Sequence, residues 1–167
     1  EKKNYLARVL KSELLRVKGD LREAMLWAQK AIRLNDARPE AYLQEGHVLL
    51  ALGQEEDGVA SMQRALELDK KHFPAYAVLG LVFLHREMFD DALGAFKVVL
   101  GMNAYHQEAL LGMVVLATKN EEWKSALAFT ARLLDVNENS AQGWFYKGQA
   151  ELELKLWTSA IKSLERA

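Results

Sequence analysis

The chain has 167 residues, half of them hydrophobic, with 22 Lys/Arg against 23 Asp/Glu and no cysteine. A net charge of −1 argues against a general polyanion binder, and the lack of cysteine excludes a disulfide framework, a thiolate metal site and a thiol nucleophile. No stretch approaches the roughly 18 consecutive apolar residues of a membrane-spanning helix, and Glu1-Lys2-Lys3-Asn4 does not open a signal peptide. We therefore expect a soluble chain with no membrane insertion. Cysteine content fits cytosol and periplasm alike, with the cytoplasm favoured. The missing initiator Met and an end at Ala167 inside a helical pattern point to a piece of a longer protein.

In chain order, residues 5–38 hold the least regular pattern. Arg8, Lys11 and Ser12 stand in the first predicted helix, and Gly19 marks a turn. Leu21 to Leu34 follows as an amphipathic helix with Ala24, Ala31 and Ile32 inward. Residues 39–72 open on Pro39, which suits a first helical turn because its missing N–H would be unpaired there. Tyr42, Gly46, Gly53 and Ala65 follow, and Glu55-Glu56-Asp57 place acids at the start of the next helix, favourable against the macrodipole. Gly58 lowers the propensity of that helix by up to about 1 kcal/mol, making it the softest interior one.

Residues 73–106 contain two amphipathic patterns, 73–86 and 90–101, separated by Arg86-Glu87. Residues 107–140 begin with QEALLGMVVLATK, in which no charged or polar side chain occurs from Ala109 to Ala117. A helix apolar all round is buried on every side. Val114 stands at the place held by Gly46, Gly80 and Gly148 in the other segments, and Gly112 sits two residues early. Residues 141–167 restore Trp144, Gly148, Trp157 and Ala160, then stop.

These landmarks recur with a period of 34. Ala24, Gly58, Ala92, Ala126 and Ala160 form one series, Gly46 and Gly80 another, Tyr42 and Tyr76 a third, Phe89, Trp123 and Trp157 a fourth. A fixed period without insertions is the mark of a repeat array, and argues against a helical bundle with chance recurrences. Tyr76, Leu79-Gly80, Phe83, Ala92 and Phe96 fill in order the slots of the tetratricopeptide pattern, and the chain resembles that family over essentially its whole length. The family's late Pro is absent, with Asp36, Lys70, Ala104 and Glu138 in its place. The resemblance implies an all-α fold, an α-solenoid of helix–turn–helix repeats wound as a right-handed superhelix. It implies a single array over 1–167, in units 5–38, 39–72, 73–106, 107–140 and an incomplete 141–167.

No catalytic, cofactor-binding or metal-binding constellation emerges, so we expect no cofactor. His47, His72, His85 and His106 lack metal-ligand spacing, and no Gly-rich phosphate loop, G-x-S-x-G or H-E-x-x-H is present. Trp27, Trp123, Trp144 and Trp157 fall mostly at repeat-core slots. Residues 5–38 carry a net +4 and 39–72 a net −4, read either as solvated helix faces or as a basic end for an acidic partner. Basic residues are not interleaved with aromatics, so nucleic acid is not expected.

What remains is a surface. Carried over from the family, the concave face falls on Leu43, His47, Ala77, Leu81, Leu84, Leu111, Val115, Phe145 and Gln149. Leu43/His47 and Ala77/Leu81 stand where chaperone-tail binders of the family carry Lys and Asn, so that carboxylate clamp is absent. The groove implied is apolar, suited to an extended peptide or amphipathic helix, unless these side chains pack between repeats instead. The function expected is a non-enzymatic protein-interaction scaffold. The alternatives are a substrate-selecting repeat domain of a larger enzyme, or a homo-oligomer formed through the C-terminal face, where Trp157, Ile161 and Leu164 would lie uncovered.

Overall fold

The computed structural model describes residues 2–167, with side chains from Asn4 onward. The described residues form ten helices and no strand. The first helices are α1 (Lys2–Lys18), α3 (Pro39–Ala51), α5 (Phe73–His85), α7 (Gln107–Lys119) and α9 (Ala141–Glu153). Each is followed by a second helix: α2 (Leu21–Leu34), α4 (Glu55–Leu68), α6 (Phe89–Met102), α8 (Trp123–Val136) and α10 (Trp157–Leu164). First helices from α3 on, and all second helices, begin 34 residues apart.

Two kinds of turn repeat with the same period. Inside each pair, Gly19, Gly53, Glu87, Glu121 and Lys155 adopt positive φ, between 57° and 88°. The next residue's N–H reaches back five residues to close the helix: Asp20 to Leu15 O, Gln54 to Leu49 O, Met88 to Phe83 O, Glu122 to Ala117 O and Leu156 to Glu151 O, all at 2.8–2.9 Å. This left-handed ending satisfies carbonyls that a helix C-terminus leaves orphaned. Between pairs, Asn35, Asp69, Asn103 and Asn137 end the second helices in extended backbone. Each side chain accepts the N–H two residues on, from Ala37, Lys71, Tyr105 and Asn139, at 2.9–3.2 Å. That bond turns the chain into the next first helix.

The chain packs as two compact units, one through Leu79 and one from Gly80 to Ala167. In the first, Val48 packs with Leu15 and Ala24, while Tyr5, Val9, Ala31 and Ala41 form a second cluster. The Tyr5 hydroxyl accepts the Ala41 N–H at 3.0 Å and lies 3.3 Å from a Glu40 carboxylate oxygen. Arg38 makes no side-chain cap on α3, so a phenol from α1 serves an orphan amide of the next repeat's first turn. Burial and the nearby Glu40 push the Tyr5 phenol up to about 12.

Gly58 has a different role from the one its propensity suggests. A Cβ there would lie 2.8 Å from Leu50 Cγ and 3.2 Å from Gly46 O, and one on Gly46 would lie 3.0 Å from Gly58 O. The two glycines let α3 and α4 touch backbone to backbone, so the position is a close crossing and its propensity cost is offset by packing.

In the second unit Ala92 and Ala126 are fully buried, and Ala117, Ala126 and Ala150 pack together with Trp123, Leu127 and Phe129 around them. The tryptophans are less interior than their repeat slots suggest. Trp157 is 56% exposed. Elsewhere, cations cover the rings: Lys11 and Lys30 stand 4.1 and 4.4 Å from the Trp27 ring centre, and Arg166 and Lys147 4.6 and 4.8 Å from that of Trp144. Long basic side chains cover an aromatic face with their stems while keeping their heads in water.

Exposure on α1 and α10 differs from that on the helices between them. Val48 is buried on the preceding repeat, but Leu14, at the same place in α1, is 56% exposed. At the other end Leu164 is 43% exposed, whereas its counterparts Ala28, Met62, Phe96 and Thr130 are fully buried.

Candidate functional site

In the second unit the site is built on α7. Ala109, Leu110, Gly112, Met113, Val114, Leu116 and Ala117 are buried, as an apolar helix requires. Leu111, Val115 and Thr118 keep partial exposure. Spaced i, i+4, i+7, these three share one face of the helix. The Thr118 hydroxyl is turned back to donate to Val114 O at 2.8 Å, so it presents mainly its methyl. On α9, which packs against α7, Phe145 is 50% exposed, with its ring edge-on to Tyr146 at 5.5 Å, and Gln149 is half-buried. Leu81 on α5 is 44% exposed and Leu84 half-buried. Equal helix starts put Leu81, Val115 and Gln149 at one register position and Leu111 and Phe145 at another.

In the first unit Leu43 and His47 are half-buried. Ala77 is only 6% exposed: its single methyl does not reach past its neighbours, so it offers room and no contact surface. Burial, with the Arg16 guanidinium nearby, pushes the His47 imidazole down to about 4, so it is neutral at pH 7. Arg16 Nε and Gln44 Oε1 are buried without a hydrogen-bond partner. His72 and His106 stand at equivalent loops, but only His106 caps a helix, and His72 Nδ1 is buried without a hydrogen-bond partner. His106 Nδ1 accepts the Ala109 N–H at 3.4 Å as the cap of α7, and burial lowers the His72 pKa.

Among the described residues no group of three or more His, Asp or Glu could hold a metal ion, and no helix is long and apolar enough to cross a membrane. A cavity of about 470 Å³ between α6, α7 and α8 was not anticipated from the repeat pattern. Its signal lay in one residue, Ala117, which stands where earlier repeats carry Leu15, Leu49 and Phe83.

The family model for the tetratricopeptide repeat matches residues 43–106 and 111–167. Among curated proteins, the chain is 24% identical over 144 residues to anaphase-promoting complex subunit 3 of Schizosaccharomyces pombe, covering 86% of this chain and 22% of that protein. It spans similarly small parts, 13% and 29%, of two further relatives. Among solved structures, a MamA RS-1 double mutant superposes with a TM-score of 0.80 at 18% identity, over 98% of this chain and 92% of that one. YrrB, described as a TPR protein with an unusual peptide-binding site, superposes with a TM-score of 0.74 at 18% identity, over 99% and 86%. At these identities the likeness is one of fold.

Proposed function

Because the chain belongs to the tetratricopeptide repeat family, whose fold is typically a non-enzymatic scaffold for protein partners, we propose that it holds a peptide or amphipathic helix against the apolar face of α7. The observation that carries this reading is the contrast along α7. Seven of its residues are buried, yet Leu111 and Val115 keep partial exposure on one stripe, at register positions they share with the exposed Phe145 and Leu81. Contiguous exposed apolar surface marks an interaction site, and apolar anchors spaced along first helices suit a segment laid across them. A peptide-binding site is ascribed to YrrB, which supports the class of partner. Val115→Glu tests the reading. We expect retained helical circular dichroism and at least about tenfold weaker partner binding, or ~1.4 kcal/mol. A lost helical signal would instead mark Val115 as core, where an unpaired buried charge unfolds the repeat.

A second reading, self-association through the C-terminal face, is favoured by the exposure of Trp157, Ile161 and Leu164, at 56%, 60% and 43%. Sedimentation at two concentrations checks it. A mass that rises with concentration, and falls back in Ile161→Asp, supports it; a constant monomer mass removes it.

A further inference from the structure

We propose that the cavity between α6, α7 and α8 is a second binding site, one that takes a large apolar side chain of a partner segment with a cationic residue beside it. The site does not rest on the α7 stripe. Met113, Ala117 and Asn120 line the cavity, and on a helix turning 3.6 residues per turn they face away from Leu111, Val115 and Thr118.

The opening coincides with a short side chain at a repeat position that is large elsewhere. The repeat position of Ala117 holds Leu15, Leu49 and Phe83 in the earlier repeats. Here a methyl replaces an aromatic ring, and about 470 Å³ lies open. Met113, Leu116 and Ala117 form its floor, all buried, with Phe89, Leu93 and Phe129 as walls. A dry cavity of about 150 Å³ takes up benzene, so the volume here is ample for an aromatic or large aliphatic side chain. Desolvating such a group against this lining is what makes an apolar anchor effective at an interface.

The rim specifies more than an apolar plug. Asp90 lies in the first turn of α6, Glu122 is the N-cap of α8, and both border the cavity beside Asn120, the C-cap of α7. Since α6 and α8 start at the same repeat position, the two carboxylates gather at one end. Lys97 borders the cavity about two turns further along α6, roughly 10 Å away. The rim is thus acidic at one end and basic at the other, with two carboxylates against one ammonium. A segment entering with a Lys or Arg beside its apolar anchor meets opposite charge at the acidic end, and complementary rim charge sets orientation and partner choice.

The test is a titration of the ¹⁵N-labelled chain with two probes, N-acetyl-Phe-Lys-amide and N-acetyl-Phe-Glu-amide. We expect the Lys peptide to give saturable shifts at the amides of Ala117, Asn120, Ser125 and Phe129, and the Glu peptide to bind more weakly. Ala117→Phe, which puts at this position the residue that the preceding repeat carries as Phe83, should abolish these shifts. Asp90→Lys combined with Glu122→Lys should weaken the Lys peptide by about tenfold and reverse the preference. No saturable shift, shifts confined to Leu111 and Val115, or shifts that persist in folded Ala117→Phe would overturn the proposal. If Ala117→Phe loses its helical signal, the charge reversal decides alone. Both carboxylates are exposed, so that variant keeps its core, and unchanged affinity for both peptides overturns the proposal.

Discussion

The ring of Phe96 fills the space that a Cβ on Gly112 would need. On its other side a Cβ on Gly80 would come within 2.6 Å of the same ring. Phe96 is fully buried and cannot swing away, so two glycines on α5 and α7 clear room for one aromatic on α6. Gly112 thus makes room for a side chain of the preceding repeat, whereas Gly46, Gly80 and Gly148 face Met62, Phe96 and Leu164 of their own. At the repeat position of those three, Val114's repeat carries the smaller Thr130. Gly112→Ala is expected to cost about 1–3 kcal/mol by overpacking, read as a lower urea midpoint at unchanged slope. Gly94 and Gly101 on α6 have nothing within 4 Å of a built Cβ and no positive φ, so Gly94→Ala should stabilise by about 0.5–1 kcal/mol. If both substitutions behaved alike, the packing account of Gly112 would be wrong.

Three of the five left-handed turn positions hold residues with a Cβ, at Glu87, Glu121 and Lys155. A side chain in that region costs about 1–2 kcal/mol, partly offset because glycine loses more freedom on folding. Glu121→Gly should therefore raise stability by about 0.5–1 kcal/mol, and Gly53→Ala, at φ 77°, should lower it by a similar amount. Thermal melts of the pair check the sign at both sites.

Tyr5→Phe removes the acceptor for the buried Ala41 N–H. An orphaned buried donor costs about 1–3 kcal/mol. Hydrogen exchange at Ala41 should quicken while amides of α8 keep their protection. Equal protection at Ala41 in variant and parent would show the phenol to be dispensable.

His47 makes stability depend on pH. Its folded value of about 4 lies below the ordinary 6.5, so between these values the unfolded chain binds more protons. Stability is full above about 6.5 and falls as pH drops toward 4, by up to about 1.4 kcal/mol per unit. The lowered His72 acts with the same sign. His47→Gln should flatten the slope of urea-midpoint against pH in that window, and a slope as steep as the parent's would remove His47 as its source.

Much of the fold was legible because period and side-chain size are written in one dimension. The 34-residue spacing of Ala24, Gly58, Ala92, Ala126 and Ala160 marked inward positions of the second helices, and all five are buried. The uncharged run Ala109–Ala117 announced a helix buried nearly all round. The candidate surface was less legible. Family positions nominated Ala77 alongside Leu81, yet one is 6% and the other 44% exposed, because exposure depends on the size of neighbours that approach from other helices. The turn at Gly19 and the break at Arg86-Glu87 were legible, but the left-handed backbone at Glu87, Glu121 and Lys155 was not, because no glycine marks it there.

From sequence alone, then, came the repeat, its register, the helix pairs and the absence of catalytic motifs, since each follows from local spacing and residue type. Tertiary structure alone decided why Gly58 and Gly112 are glycine, which acceptor serves Ala41, how far His47 is kept from protonation and where Ala117 leaves space. Each of these depends on atoms brought together from different helices, and distances of a few ångströms across a helix crossing have no counterpart in the order of residues along one chain.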